Sequence, residues 1–539
     1  MRSICLAVLL AAQVFGQVEK TVEQLEAEKR DPKKKAAVLL DNAGQAVGAA
    51  RPEVQVFGLL HLAENYETID KKKSLEYFHQ AFDTASSVPA DSESNQRGRL
   101  QSEIVRSLAK PNIDDAMAML RQMEASTKND YRVSAAQSIV QVLIQKKRLD
   151  DALEIVQSFG TFGDYPYRSA ASIFKALPAD DPRRNTLFSS AMAAYGSHPR
   201  GNFPDLLTKV WREIPQSLAQ SAVTTLVNGI LDRKDNDSHF TGSISSVKGT
   251  ANFSTRKDYD LFNLMSILRT VDPKRADEIL ETHPDLKVAL RQFPEGTESM
   301  VDDDKGGINS STSSGGGRAN PQQDAEQRLR GLARTRAQQA LDALKEDPDK
   351  ALSIAKTIPV ASFQADVLGK IANSVGEKDP GSAKGLLGQC ISMLDDIKDP
   401  SDRVSTWTIV AEAAHKIKDD KLSWQAIDRA MADATALYKL DADEDSPNKA
   451  LREYWPSTQG YRRIVITAVK LFGVDAEPLL LRITDPDLAL LARVEMAQAL
   501  LEPTMALISP VALSIAMSAA CAPESCSKLT CALPSGVAN

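Results

Sequence analysis

One acidic run has residue types and spacing that could bind a metal ion. Asp441, Asp443 and Asp445 alternate like the first carboxylates of a calcium-binding loop. Such a loop needs glycine at its sixth position and a bidentate glutamate at its twelfth, where this chain has Ser446 and Arg452. The run is therefore interpreted as a solvated acidic loop between helices, and we predict no metal ligand in it.

The cysteines could form a thiolate metal site only in the C-terminal tail. Cys521, Cys526 and Cys531 are spaced by four intervening residues, and the tail contains no histidine. Zinc sites normally use closer ligands and a fourth donor. We expect disulfide pairing or free thiols there. Cys390 lies in a helical apolar pattern, so we expect it to be a small buried hydrophobic residue.

Familiar catalytic and phosphate-binding motifs do not occur in the sequence. The chain contains no G-x-S-x-G nucleophile elbow and no phosphate-binding glycine loop, because Gly381-Ser382-Ala383-Lys384-Gly385 has the required residues in the wrong order. The six histidines lack metal-ligand spacing, and two of them precede proline at predicted helix ends; they are His61, His79, His198, His239, His283 and His415. We therefore assign no catalytic, cofactor-binding or metal residue and expect no cofactor.

One group of aromatic and basic residues could instead contact a partner. Tyr454 and Trp455 lie close to Tyr461, Arg462 and Arg463 around a predicted helix start. Aromatic and arginine side chains are common in interface hot spots. Core packing at a helix junction is the favoured interpretation, because buried Trp and Tyr commonly have that role.

Composition favours helices and argues against a nucleic-acid partner. The 539 residues include 42% hydrophobic but only 5% aromatic residues, which suits helices packed through alanine and aliphatic side chains. The net charge of −7 provides no basic excess for a phosphate backbone. A chain of this length exceeds one ordinary core, so two folded bodies or one long repeat array are expected.

A short phrase recurs along the chain. Ile113-Asp114-Asp115-Ala116 is followed by Met119 and Leu120, and Leu149-Asp150-Asp151-Ala152 by Ile155 and Val156; the two alanines are 36 residues apart. Looser copies begin with Asp-Pro, in which aspartate can cap a helix and proline suits its first turn. These copies start at Asp272, Asp347 and Asp379.

A second amphipathic segment follows most copies and completes a helical hairpin. These segments are Arg132–Ile144, Arg168–Leu177, Ala365–Val375 and Arg403–Ile417. The periodicity resembles that of tetratricopeptide-like and HEAT-like repeats, although the Trp, Gly and Tyr positions of the tetratricopeptide consensus are absent. The resemblance implies an all-α, α-solenoid-like fold that presents an extended binding surface.

Composition also divides the chain. Residues 1–16 are typical of a signal peptide, with Arg2, an apolar run from Ile4 to Ala12 and a small-residue cleavage site before Gln17. We expect one helical array over 17–294 with a long surface loop at 232–258, a disordered Gly/Ser/Asp-rich linker over 295–327, and a second array over 328–502. Residues 503–539 form a low-charge tail that carries three cysteines.

Together these features favour an exported protein, secreted or periplasmic, that binds another protein or a peptide, with no nucleic-acid partner. Two alternatives stay open. One is an envelope enzyme that cleaves polysaccharide or peptide with residues distant in sequence; the other is a structural envelope spacer held to the membrane by its tail. The oligomeric state and the partner's identity are not determined by the sequence.

Overall fold

The structure is a computed structural model that describes residues 31–89, 95–126, 129–160, 164–199, 201–233, 240–246, 248–300, 309–313, 321–443 and 451–501. The predicted signal peptide, the C-terminal tail with its three cysteines, and Asp445 with Ser446 lie outside these residues. None of the described helices is both long and apolar enough to cross a membrane.

The described chain is α-helical apart from one small sheet, as the sequence predicts. The helices before the sheet are α1 (Pro32–Ala46), α2 (Pro52–Tyr66), α3 (Lys71–Ser87), α4 (Gln96–Leu108), α5 (Ile113–Gln122), α6 (Arg132–Gln145), α7 (Leu149–Gln157), α8 (Tyr167–Ala176), α9 (Arg183–Ser197), α10 (Phe203–Val210) and α11 (Gln216–Asp232).

Strands β1 (Thr241–Ser246) and β2 (Gly249–Phe253) come next. They are followed by α12 (Arg256–Val271), α13 (Pro273–Thr282), α14 (Pro284–Gln292), β3 (Asn309–Ser313), α15 (Pro321–Leu344), α16 (Pro348–Ala355), α17 (Ala361–Val375), α18 (Pro380–Met393), α19 (Pro400–Lys416), α20 (Asp420–Asp441), α21 (Pro456–Phe472) and α22 (Pro486–Leu501).

The chain forms two compact units. Of the described residues, those within 70–327 form unit 2, and those within 31–69 and 328–501 form unit 1. Within unit 1, helix α22 packs against both α1 and α2. The sequence places residues 32–69 in the N-terminal array, whereas the structure groups them with the C-terminal helices, because the apolar faces of α1 and α2 are buried on α22.

Repeated helix starts occur where the sequence predicts them. Helices α5 and α7 begin at Ile113 and Leu149, and the four predicted second segments correspond to α6, α8, α17 and α19. At the Asp-Pro copies, the side chains of Asp272, Asp347 and Asp379 each accept a hydrogen bond from a backbone N–H in the first helical turn, with proline at the helix start. Helical-hairpin repeats in two arrays are thus confirmed.

The predicted loop over 232–258 is wrong for most of its described residues. Strands β1 and β2 pair in antiparallel register, with Ile244 opposite Ala251. Strand β3, from within the predicted linker, pairs with the other edge of β1. The three strands are rich in Ser, Thr and Asn, so they contain few of the apolar β-branched and aromatic residues that indicate a strand. The alternately buried residues Ile244, Ala251 and Phe253 carry its apolar face.

Candidate functional site

Unit 2 contains an open polar cleft of about 810 Å³. Three chain segments line it: the end of α11, the residues that lead from β2 into α12, and the corner between α13 and α14. Its lining residues, called the cleft below, are Leu231, Asp232, Arg233, Ser254, Thr255, Lys257, Asp258, Thr282, His283, Pro284 and Asp285.

A histidine–aspartate pair forms part of the cleft wall. His283 Nδ1 lies 2.6 Å from Asp258 Oδ1, and the side chain of Asp258 is only 5% exposed. A carboxylate at this distance accepts a hydrogen bond, so Nδ1 carries the proton. The Nε2 atom remains for other partners, and 18% of the His283 side chain is exposed. The imidazole is therefore fixed in tautomer and orientation at the edge of an open cavity.

Local helix geometry holds this pair in place. Thr255 is the N-cap of α12, and its hydroxyl accepts the backbone N–H of Asp258 at 3.0 Å. His283 lies between α13 and α14, directly before Pro284, the first residue of α14. The expectation that His283 ends a helix is confirmed. Its side chain does not cap α14 but donates to Asp258, 25 residues earlier.

The remaining polar groups of the cleft carry both signs of charge. The Ser254 hydroxyl donates to Asp285, and the Lys257 ammonium donates to the Leu231 carbonyl at 2.8 Å. Arg233 pairs with Asp260 at 2.8 Å. Acidic and basic groups nearly balance, so the cleft suits a polar ligand that offers both donors and acceptors.

A second polar cluster lies in unit 1 and is buried. It connects α2 with the short helical turn Arg452–Tyr454 and with α21 and α22. This cluster, called the ionic seam below, consists of His61, Arg452, Glu453, Arg462, Asp485, Asp487 and Glu495.

Two arginines hold the carboxylates of the ionic seam. Arg462 pairs with Glu453 and with Glu495, whose side chains are 5% and 6% exposed. Arg452 Nη1 lies 3.0 Å from Asp485 and 3.2 Å from Asp487. Each guanidinium thus bridges two largely buried carboxylates, an arrangement that suits its planar set of donors.

His61 is a third cation of the ionic seam. Its Nδ1 lies 3.1 Å from Glu64 and its Nε2 lies 3.2 Å from Glu453. Because both ring nitrogens face carboxylates, both must donate, which requires the imidazolium. Burial opposes the charge, but the hydrogen bonds that His61 donates to Glu453 and Glu64 outweigh it and raise the pKa of His61 to about 10.

Two carboxylates of the ionic seam, Glu453 and Asp485, are stabilised in their charged form. Burial acts to raise the pKa of Glu453, but His61 and Arg462 overcome this and hold it below its usual value. The pKa of Asp485 is likewise lowered, against partial burial, by hydrogen bonds from the Leu488 backbone, Tyr438 and Arg452. Both carboxylates therefore stay charged at neutral pH.

The aromatic group found in the sequence borders this seam. Trp455 is 8% exposed, with the Arg452 guanidinium 4.8 Å from its ring centroid, and Tyr454 packs edge-on against Phe57 at 5.7 Å. Tyr461 is 4% exposed. Trp455 and Tyr461 thus pack at the helix junction, as the sequence predicts, whereas Tyr454 is 38% exposed.

Two other sequence predictions can be located. Cys390 is fully buried, and its thiol donates to the Ala365 carbonyl at 3.3 Å, so the expected burial of this thiol in the core is confirmed. Asp441 is not solvated as expected. It is 8% exposed and accepts the Ser457 backbone N–H at 2.8 Å. Among the described residues, no group of three or more His, Cys, Asp or Glu side chains could hold a metal ion.

Neither the cleft nor the ionic seam could be read from sequence motifs. The cleft pair joins residues 258 and 283, and the ionic seam joins residue 61 to residues beyond 450. The one local signal was His283-Pro284 at a helix end, followed by Asp285. It indicates a chain corner but not the carboxylate that faces the histidine.

Comparison with known proteins adds little. No protein-family model matches the chain, and no curated protein matches it. One solved structure, described as a circular tandem repeat protein with novel repeat topology and enhanced subunit contact surfaces, covers 90% of this chain and 91% of its own at 11% identity, with a TM-score of 0.15. The superposition is so poor that the fold assignment rests on the helices described above.

Proposed function

We propose that this chain is an exported helical-repeat protein that binds a protein or peptide segment through the cleft of unit 2. The cleft carries this proposal, because an open cavity of about 810 Å³ has the size of known ligand sites. Its balanced donors and acceptors suit a peptide, whose backbone offers both. Export rests on the N-terminal sequence pattern, and sequencing of the mature N-terminus after cell fractionation tests it, with Gln17 as the expected start.

Site-specific photocrosslinking tests the binding site. A photoreactive side chain at Thr282, an exposed lining residue, should capture a partner from an envelope extract. Asp277 is equally exposed on the same helix but does not line the cleft, so it provides the matched control. If position 282 crosslinks no partner more strongly than position 277 does, the proposal is contradicted.

Direct affinity measurement with the captured partner completes the test. Thr282→Trp should fill the cleft mouth and weaken binding at least tenfold, whereas Asp277→Trp should leave Kd unchanged. Equal affinities for the two variants would place the interface elsewhere and reject the cleft.

A second candidate, an acid–base enzyme, is favoured by the His283–Asp258 pair. A histidine fixed by a carboxylate at Nδ1 can accept a proton at Nε2 from a water or hydroxyl that attacks a bound substrate. Under this alternative, the purified chain cleaves peptides or oligosaccharides in the cleft, and His283→Gln abolishes turnover while peptide binding persists. Binding without turnover in the wild type excludes this candidate and leaves the binding proposal intact.

A further inference from the structure

The helical hairpin α1–α2, Pro32–Tyr66, has an unusual position in unit 1. It precedes all of unit 2 in the chain, yet it packs on the last described helix, α22. Part of this contact is apolar and close. A β-carbon placed on Gly58 would lie 3.0 Å from a Val47 methyl and 3.2 Å from a Leu490 methyl. Gly58 therefore lets the helices approach, and the contact depends on good packing.

The rest of the contact is ionic. His61 of α2 pairs with Glu453 at 3.2 Å. The Arg51 backbone N–H, just before α2, donates to Asp487 at 3.3 Å, and Lys35 of α1 pairs with Glu477. Charged groups as well as apolar packing therefore hold the hairpin against the other helices of unit 1.

Charges at this contact come from every neighbouring element. The cations are Lys35, Arg51, His61, Arg452 and Arg462, and the carboxylates are Glu64, Glu453, Glu477, Asp485, Asp487 and Glu495, with the Tyr438 hydroxyl donating to Asp485. Five cations face six carboxylates. At neutral pH every cation of the seam has a carboxylate partner.

Acid neutralises the carboxylates of this contact but leaves its cations charged. Carboxylates gain protons as the pH falls, whereas guanidinium groups stay charged at every accessible pH. Protonation of Glu453 and Glu495 would leave Arg462 without its counterions, and protonation of Asp485 and Asp487 would do the same to Arg452, whose side chain is 8% exposed. A buried cation without a partner is strongly destabilising. Movement of α2 away from α22 would admit water to both guanidinium groups.

We propose that the α1–α2 hairpin is an acid-releasable latch: protonation of the ionic seam detaches it from α22 and from the turn Arg452–Tyr454 while helices α17–α20 stay packed. Helices α19 and α20 share the ion pair Arg403–Asp433 at 2.6 Å, whereas the ionic seam contains two arginines that each face two carboxylates. Helices α19 and α20 pack through buried alanine and aliphatic residues, among them Ala411, Ala430 and Ile427. Release uncovers apolar positions on α22, including Leu490.

Hydrogen–deuterium exchange of the full-length chain tests the latch. Exchange is measured at pH 7 and pH 3, with correction for intrinsic rates, because the lowered pKa values of Glu453 and Asp485 require a pH below the ordinary carboxylate range. We expect the amides of α1, α2 and α22 to exchange at least tenfold faster at pH 3, with less than a twofold change in α19 and α20. Equal acceleration throughout unit 1, or an unchanged hairpin at pH 3, overturns the proposal.

A variant reproduces the acid state at neutral pH. Glu453→Gln/Glu495→Gln removes both charges that face Arg462 and should release the hairpin at pH 7, with the same exchange pattern. Glu412→Gln is the matched control, because Glu412 pairs with Lys470 in the same unit but makes no contact with the seam. Exchange in the double variant that equals the control at pH 7 overturns the proposal. If the double variant does not fold, the wild-type pH comparison still decides it.

Discussion

The cleft and the ionic seam both contain a histidine hydrogen-bonded to a buried carboxylate, but their surroundings differ. His61 faces Glu64 and Glu453 and stacks on Phe57, with ring centroids 6.4 Å apart. His283 uses only Nδ1 for Asp258, and it borders an open cavity. Both nitrogens of His61 have protein partners, whereas Nε2 of His283 is left to a ligand. A histidine–carboxylate pair is therefore structural in unit 1, whereas the pair in unit 2 is suited to binding.

Loss of one seam arginine should have the largest effect. Arg462→Met keeps most of the side-chain volume but leaves Glu453 and Glu495 buried without their shared cation. Breaking a buried ion pair in this way costs about 3–5 kcal/mol. Urea unfolding measures the loss by tryptophan fluorescence in a Trp211→Phe background, where Trp407, Trp424 and Trp455 all report on unit 1.

The matched control is Arg482→Met. Arg482 pairs with Asp428 in the same unit, but both side chains are about half exposed. Such surface pairs contribute at most about 1 kcal/mol. Equal losses for the two variants would mean that burial does not distinguish the ionic seam from surface pairs.

The pH dependence of unit 1 should identify His61. Its folded-state pKa of about 10 lies above the unfolded value of 6.5. Its contribution is complete below pH 6.5, declines as the pH rises toward 10, and is absent above that. Stability should fall by up to about 1.4 kcal/mol per pH unit in this window.

His61→Gln should flatten this alkaline slope. The loss of stability in acid should persist in the variant, because it belongs to carboxylates such as Glu453 and Asp485, whose pKa values are lowered. These groups contribute above their unfolded pKa, and the contribution is lost as the pH falls through the folded value. An unchanged alkaline slope in His61→Gln would assign the titration to another group.

Removal of the carboxylate that faces His283 in the cleft should lower the free energy of unfolding less than Arg462→Met does. Asp258→Ala leaves the His283 Nδ1–H without its acceptor, a cost of about 1–3 kcal/mol for a buried donor. Water in the open cleft can replace part of that bond. Thermal unfolding of unit 2 measures the loss by Trp211 fluorescence in a background in which Trp407, Trp424 and Trp455 of unit 1 are replaced by Phe. A loss as large as that of Arg462→Met would show that the cleft pair is structural.

Removal of one helix cap should have the smallest effect. Asp272→Ala deletes the acceptor for the Arg275 backbone N–H at the start of α13, the helix that ends at the cleft. Loss of such a cap costs about 1 kcal/mol. Lys274→Ala, exposed in the first turn, is the control and should be neutral within about 0.5 kcal/mol. A neutral Asp272→Ala would show that proline alone starts this helix.

Local patterns therefore predicted much of the helical fold. Asp-Pro pairs mark helix starts at Pro273, Pro348 and Pro380, because a cap acts on amides two or three residues away. Cys390 lies in the core, as the apolar periodicity of its own helix predicts. The sheet was missed because β1 obtains its partners from Gly249–Phe253 and from the distant Asn309–Ser313.

The sequence by itself determined helicity, the helix boundaries at caps and the repeating hairpins, since each depends on neighbours within a few residues. Only the tertiary structure decided that His61 meets Glu453 across 392 positions and that Asp258 meets His283 across 25. Pairings between distant residues depend on which helix faces pack together. Helical periodicity shows that a face is apolar but not which other face covers it. The packing of α1 and α2 on α22 and the walls of the cleft therefore appear only in three dimensions.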